Sequence, residues 1–575
     1  MAEGDVLRQL DESTRDAHRL QLETLRSILE ANAGTAYLRR HLSGYLPDAL
    51  DANTFRRLVP LSSYDDYADF IARIADGVEP PTALSFDPLL CFFYSSGTSN
   101  LRPKLIPFFD SSHAKSASNL AHQASSTLLR RLFPPRQTVN KILWFLYTGN
   151  VTETKGGFKV MAASAYPFHR KGPNPLLPMI ASPPEVVLGS DNHQQMYCHL
   201  LCGLSKSASM DGIRAPYAAG LVRAIRLLKS KWKQLCNDIE SGLVNPEITD
   251  AAMRDAVQEL LGGPQPQIAK RIREACGKSN WGGILSELWP EVRYVACVTT
   301  GSMEQYYPIL KYYAGDVPLL CGDYFASECP VGINMDRMRS PEETSFVIIP
   351  NAAYFEFIPF EMGASSEAKE SVDICGVEVG KMYEVVATTY RGLYRYRLGD
   401  VVKVVGFYNS SPQVQFITRS PKEASEIFTE RELMSAMENF QLMLREGHRG
   451  EVVEFAGFFE SGSGLKHVII FVEASKDCMF LQRENLEESI AYLRGCCSSI
   501  EGCLGSVYRV KRSDGDLGPL QIAIVKPGSF DGLAKLAMEN GAPANQYKPP
   551  KVIRNRGLVD LLKASVVVGA SLEGN

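Results

Sequence analysis

Two hydrophobic periods take turns along this chain, and that alternation limits its fold more than any other feature. Apolar residues recur every three or four positions in LRQLDESTRDAHRLQLETLRSIL, GLVRAIRLLKSKWKQLCNDIESG and AAMRDAVQELLGG, the spacing that lines one face of a helix. Between and after them stand short runs rich in β-branched and aromatic residues: KILWFLYTG, VRYVACVTTG, VPLLCGDYF, TSFVIIP, YFEFIP, MYEVVATTY and DVVKVVGFY. These read as strands, and the interleaving predicts a mixed α/β body.

At 575 residues the chain exceeds one hydrophobic core, and roughly 100 to 200 residues per domain predicts two to four units. The segment FYNSSPQVQFITRSPKEASEIFTE interrupts the apolar rhythm with Asn, Ser and Pro, as an interdomain hinge would. The boundary is therefore placed near residue 420, giving domains 1–420 and 421–575. Beyond it EVVEFAGFFE, HVIIFVEA, SVYRVKR and LQIAIVK read as strands, with helices at LEESIAYLRGCC and after Gly528, a smaller α+β unit.

Hydrophobic residues at 45% and charged residues at 22% are ordinary for a soluble protein, and no run approaches the roughly 18 apolar residues of a membrane span. The N-terminus MAEGDVLRQLDESTRD carries acids where a targeting signal would be basic or apolar, so it reads as an amphipathic helix and the cytoplasm is the expected compartment. Thirteen cysteines are scattered singly apart from Cys496 and Cys497, which suits reduced thiols. A net charge of −4 without a basic block argues against nucleic acid. The expected partners are small molecules, with no membrane and a monomeric chain.

Four loops at the ends of strand-like runs carry the polar chemistry. YSSGTSNLRPK (residues 94–104) follows LLCFF and gathers Ser95, Ser96, Gly97 and Thr98 ahead of Lys104. A glycine lets backbone approach and hydroxyls donate to phosphate oxygens, although the GxxxxGK[ST] order is absent. TTGSM follows YVACV, and DYFASEC follows PLLCG. In YRYRLGD, Gly399 makes a turn that presents Asp400, whose two oxygens suit a ribose diol. Each loop alone also reads as an ordinary turn, Glu328 as a surface acid and YRYRLGD as an edge strand. Together, at strand ends, they point to a ligand. His113, His122, His193 and His199 lack paired ligand spacing and read as core or surface residues.

The order SSGTSNLRPK, TTGSMEQYYPILKYYAGDVPLL, DYFASE, AYFEFIP, GLYRYRLGD and NQYKPPK resembles the plant acyl acid–amido synthetases of the Gretchen Hagen family, the auxin-responsive branch of the firefly-luciferase-like adenylate-forming superfamily. The likeness runs from the N-terminal helix to about residue 555. It implies a large mixed α/β N-terminal domain of the adenylate-forming type with a smaller, mobile α+β C-terminal domain. The reaction implied is a two-step ligation: ATP and a carboxylic acid give an acyl-adenylate, and an amino acid amine then attacks it. Carried over by position, Ser95, Ser96, Gly97 and Thr98 would hold phosphates, Thr300 would sit near the nucleotide, and Asp323, Tyr324, Phe325, Ala326 and Ser327 would pack around the adenine. Glu328 matches the glutamate associated with Mg²⁺, Asp400 the ribose-binding aspartate, and Lys548 the mobile lysine of the small domain. Arg419 and Lys422 would reach the nucleotide or act at the hinge, Lys422 reading equally as a surface lysine.

The chain departs from the pattern at Leu101, where relatives carry glycine, and at Phe325, where YGSSE or YASSE is usual. Gln123 replaces an arginine of the benzoate-conjugating members. The reading is an amido synthetase for an acidic plant hormone, indole-3-acetic acid first. The alternatives are a jasmonate or benzoate type, a ligase passing the acyl group to a thiol, and a catalytically weak nucleotide-binding member occluded by Leu101 and Phe325.

Overall fold

The computed structural model describes residues 3–42, 51–95, 104–170, 172, 174–361, 370–420, 428–446, 450–460, 466–476, 478–481, 486–539 and 547–572. Ser96, Gly97, Thr98, Leu101 and Lys422 lie outside that set.

The expected runs near the middle of the chain form a parallel sheet in the order Lys141–Trp144, Met210–Tyr217, Tyr294–Val298, Leu319–Cys321. Its strands are apolar on both faces, as a covered parallel sheet requires. Leu143, Ile213 and Val295 pack with Leu201, Leu221 and Val222 of the helices Asn192–Ser205 and Ala218–Ser241. Ile142, Tyr294 and Leu320 pack on the other face with Leu129 of helix Ser112–Leu132. Because every strand runs the same way, the chain after Tyr217, Val298 and Cys321 emerges on one edge.

A seven-stranded antiparallel sheet runs Tyr354–Phe360, Met382–Thr388, Tyr396–Tyr408, Ser411–Arg419, Phe346–Ile348, Pro330–Ile333, Tyr324–Phe325. The small-residue face of helix Ser112–Leu132, with Ala117, Ala121 and Ala124 buried, lies against its strand Pro330–Ile333. The N-terminal periodic segment divides at Asp16, whose carboxylate accepts the Arg19 amide. The second of its helices, Ala17–Asn32, is pinned to the sheet by Gln21, which donates to Ala353 O at 2.6 Å and accepts the Phe355 amide at 2.6 Å. A four-stranded sheet that includes Leu89–Tyr94 and Leu105–Phe109 shares this core.

The C-terminal domain is a five-stranded sheet ordered Val552–Ile553, Val452–Glu460, His467–Ala474, Gln521–Val525, Val566–Ser571. Helices Glu430–Glu446 and Leu486–Cys503 cover one face, and Ser529–Glu539 and Arg556–Ala564 the other.

Two expectations are corrected. SVYRVKR is not a strand: Ser506–Ser513 is helical. Its alternating Val and Tyr mislead because Val510 is 56% exposed, whereas Tyr508 and Arg512, one turn apart, both reach Glu501. The proposed hinge composition also begins too early. Asn409, at φ +54°, closes a hairpin, and Ser411–Arg419 is a nine-residue strand paired with Tyr396–Tyr408.

A buried ion pair ties distant segments of the N-terminal domain together. Arg395 binds both oxygens of the fully buried Glu356 (2.8 and 3.0 Å) and donates to Val59 O (2.7 Å), while Ser371 Oγ donates to the same carboxylate. Glu356→Ala would strand the guanidinium in the core. The expected loss is about 3–5 kcal/mol, read as a shift of the urea unfolding midpoint.

Candidate functional site

Thr300 is half-buried at the exit of strand Tyr294–Val298 and opens the tight turn Gly301–Tyr306. Gly301 has φ +63°, and a Cβ there would come within 2.8 Å of the Phe416 ring, so only glycine fits. Phe416 belongs to Ser411–Arg419, so this turn docks the parallel sheet onto the antiparallel one.

DYFASE emerges beside it, after Leu319–Cys321. The Asp323 carboxylate is committed to Arg337 (2.8 and 2.9 Å) and to the Asn334 amide (3.0 Å), which makes it a strut of the loop. Tyr324 donates its hydroxyl to Asp400 Oδ2 at 2.6 Å. The Phe325 ring, 37% exposed, meets the His122 ring edge-on with centroids 4.9 Å apart. The Ala326 amide donates to Cys329 O at 3.0 Å, closing a turn that holds the half-buried Ser327 and Glu328.

Asp400 sits in the central strand Tyr396–Tyr408 just after Gly399, whose φ of +73° bulges the strand. The glycine therefore acts within a paired strand rather than in a free turn. Across the ladder Asp400 faces Arg419, with Oδ1 2.9 Å from Nη1. The aligned N–H of that nitrogen donates to Leu398 O at 2.9 Å, which leaves Asp400 Oδ1 buried with no hydrogen bond. The Asp400 charge, ahead of the opposing effect of burial, holds the Arg419 guanidinium above its ordinary range. Burial pushes the Glu328 carboxyl up, partly offset by its own amide, Arg419 and Lys104. Burial pushes the nearby Tyr396 hydroxyl up, and the Glu328 charge adds to it. Burial pulls Lys104 down, and Glu328 supports its charge. Ser95 and Lys104 close the neck of the serine loop: the Ser95 amide donates to Lys104 O at 2.9 Å, and Ser95 Oγ accepts the Lys104 amide at 3.2 Å.

Lys548 enters from the C-terminal domain. Its ammonium lies 4.4 Å from the ring centroid of Tyr217, at the exit of a parallel strand. Glu430, raised by burial, feels the charges of Arg419, Arg554, Lys551 and Lys548. The two domains thus bring cations to one cleft.

This arrangement fits a nucleotide with a hard cation. Asp400 Oδ1 is buried against the Arg419 guanidinium without an aligned hydrogen bond, which leaves it acceptor capacity of the kind a ribose hydroxyl satisfies. Among the described residues no group of three or more His, Cys, Asp or Glu could hold a metal ion. A lone carboxylate such as Glu328 suits Mg²⁺ that is otherwise held by substrate phosphates.

Two of these histidines, His199 and His113, behave as structural groups. His199 is buried between Ser182 Oγ (2.7 Å) and Leu146 O (2.9 Å), and His113 stacks on Tyr390. Sequence reasoning missed Tyr396 beside Glu328, Tyr217 beneath Lys548, and Glu430. Each is defined by a neighbour far away in sequence, so no local spacing marks it.

Family models match the chain in three blocks: the GH3 family N-terminal domain over residues 6–319, the central domain over 346–419 and the C-terminal domain over 431–557. The probable indole-3-acetic acid-amido synthetase GH3.6 of Oryza sativa subsp. japonica is 53% identical over 406 residues, covering 68% of this chain and 82% of that protein. The indole-3-acetic acid-amido synthetase GH3.8 of Oryza sativa subsp. indica is 39% identical over 581 residues, covering 98% and 93%. The solved structure of the GH3.15 acyl acid amido synthetase superposes with a TM-score of 0.86 at 31% identity, covering 99% of this chain and 97% of that one. A 2-hydroxyisobutyryl-CoA ligase structure shares the fold alone, with a TM-score of 0.51 at 12% identity over 95% and 92% of the two chains.

Asp400→Asn keeps an acceptor for Tyr324 and removes the charge facing Arg419. ATP affinity should fall by about tenfold or more, since a hydrogen bond to a charged group contributes roughly 1.5–3 kcal/mol. Calorimetric titration with ATP checks this, and unchanged affinity would exclude the ribose role.

Proposed function

The chain belongs to the GH3 family, and from that membership and the geometry of its cleft we propose an ATP-dependent acyl acid amido synthetase that joins an amino acid to a carboxylic acid plant hormone, indole-3-acetic acid. The observation that carries the activity is the meeting of Asp400, Glu328, Lys104 and Arg419 at the strand ends, faced by Lys548 from the second domain. The choice of acid rests on the substrate named for the two rice relatives above.

In the first step an oxygen of the acyl carboxylate attacks the α-phosphorus of ATP, and the bond to pyrophosphate breaks. Two anions approach, so donors and cations must neutralise the charge that develops. Ser95, with Ser96, Gly97 and Thr98, receives phosphate oxygens in this reading. Asp400 accepts the ribose hydroxyls, Thr300 and the Tyr324–Ser327 loop border the nucleoside, and Lys548 supplies a point charge. Glu328 is the residue to hold Mg²⁺, which neutralises phosphate charge when bound. In the second step the amino acid nitrogen attacks the acyl carbon, the bond to AMP breaks, and the amine gives up a proton.

One rigid arrangement serves both steps poorly, because the first needs Lys548 at the phosphate and the second needs room for the amine. We assign residues 1–420 to the acyl- and nucleotide-binding domain and 421–575 to the moving one. The protein is placed in the cytoplasm as a monomer. All thirteen cysteines are free thiols, which suits a reducing compartment.

The test is a mass-spectrometric product screen with ATP, Mg²⁺, a panel of acids and twenty amino acids. Indole-3-acetyl amides support the reading, jasmonoyl or benzoyl amides reassign the acid, and no acid-dependent pyrophosphate release with any of them would refute it.

Two further outcomes are expected. Lys548→Ala should slow acid-dependent pyrophosphate release by on the order of a hundredfold, as for one lost electrostatic donor. Amide formation from presynthesised acyl-adenylate should be largely spared, and equal loss in both half-reactions would sink the domain-alternation reading. Glu328 must be ionised to hold Mg²⁺, and burial raises its carboxyl above the ordinary 4.5, so activity should be lost as pH falls through that raised value. Extra Mg²⁺ favours the carboxylate and should move the acid limb to lower pH, which rate profiles at two Mg²⁺ concentrations would show.

A further inference from the structure

The turn that begins at Thr300 ends on Tyr306, a residue the reaction above does not use. Its ring is buried and its hydroxyl donates to Glu454 Oε2. Glu454 lies on strand Val452–Glu460 of the C-terminal domain, and its other oxygen accepts from Lys551 Nζ. The Lys551 side chain is fully buried. Its ammonium is 3.4 Å from Phe455 O, 4.5 Å from the Phe455 ring centroid and 5.6 Å from that of Tyr306. The Lys551 carbonyl accepts the Gly457 amide at 2.8 Å, which fixes this segment to the domain's own sheet three residues after Lys548. Alongside, Arg226 of helix Ala218–Ser241 donates to Val453 O at 3.1 Å.

We propose that Tyr306, Glu454 and Lys551 form a positioning latch that holds the C-terminal domain in the orientation keeping Lys548 over Tyr217, registered to the turn at Thr300. The division of groups between the domains supports a reversible device. Both charges belong to the C-terminal domain, so turning that domain never separates them. The Tyr306 hydroxyl and ring leave, together with the Arg226 bond to Val453 O, and the exposed ion pair regains hydration. With Tyr306 in place the pair is dry, and its unused acceptor is satisfied only in this one orientation. Lys551 and Lys548 share a short anchored segment, so the latch fixes where Lys548 can reach. These three are positioning residues, not groups that touch substrate.

The kinetic readout rests on the two-step reaction proposed above. Tyr306→Phe keeps the ring and deletes the hydroxyl. Acid-dependent pyrophosphate release should fall by about tenfold, the weight of one hydrogen bond to a charged acceptor. Amide formation from presynthesised acyl-adenylate should be unchanged or faster. Glu454→Gln, which leaves the Lys551 charge buried without its counter-ion, should move the ratio of the two half-reactions the same way and further. Small-angle scattering without substrates should show a larger radius of gyration for both variants. A merely structural role would depress both half-reactions together with thermal stability. An unchanged ratio and unchanged scattering in Tyr306→Phe would overturn the latch. Should the wild type release no pyrophosphate with any acid, the ligase reading fails, and the scattering comparison alone decides the latch.

Discussion

Asp400 and Arg419 face each other across adjacent antiparallel strands, and much of the cleft is set by that one pair. Asp400 reaches its place because Gly399 bulges the strand. One of its oxygens takes the Tyr324 hydroxyl, which ties the central hairpin to the loop leaving the parallel sheet. Arg419 is the last residue of its strand. The next amide, that of Ser420, returns to Gly399 O at 2.8 Å, and Ser420 Oγ donates to Glu384. The chain therefore leaves the sheet toward the C-terminal domain at the Asp400–Arg419 pair.

How much of this is legible in sequence follows from how local each cause is. The strands with a clear period, such as YVACV, MYEVVAT and HVIIFVEA, are found where their patterns place them, because burial of alternating or continuous apolar residues is written in the segment itself. The strand-end loops are legible for the same reason: a strand, then glycine and hydroxyls, describes its own geometry. SVYRVKR fails because its alternation is not a buried face. Glu501, which organises that helix, comes from the preceding helix, and no window over residues 506–512 contains it. Ser411–Arg419 was hidden by the Asn and Ser of its hairpin and by Pro412, whose pairing partner is Phe407.

Within the site the division is similar. Residue identity at Asp400, Glu328 and Lys548 is visible because it sits in recognisable strings. Availability is not. Asp323 carries the same carboxylate as Asp400, yet Arg337 claims both of its oxygens, and only the fold distinguishes the strut from the open acceptor. Phe325 illustrates the same point with shape: YFASE shows the bulk of its ring, and only the fold shows that the ring is partly exposed and meets His122 edge-on.

The chain uses one kind of interaction for two opposite purposes. Arg395 with Glu356, and Lys551 with Glu454, are both buried ion pairs. Neither is an efficient source of stability, since desolvating two charges costs about what their attraction returns and an apolar pair of like volume often does as well. What a buried pair supplies is direction, because breaking it in place is costly while no other geometry satisfies it. In the N-terminal domain the partners are bridged to Val59 and Ser371 on both sides, and all lie within one body, so direction becomes rigidity. At the cleft the two charges travel together, and the partner that reaches them from the other domain is the neutral Tyr306 hydroxyl, with Arg226 alongside bound to a backbone carbonyl. That placement keeps the directional preference and makes its release cheap. In the domain alternation proposed above, the second domain stops at one angle for phosphate chemistry and then leaves; that calls for both properties, and an interface ion pair split between the domains would provide only the first.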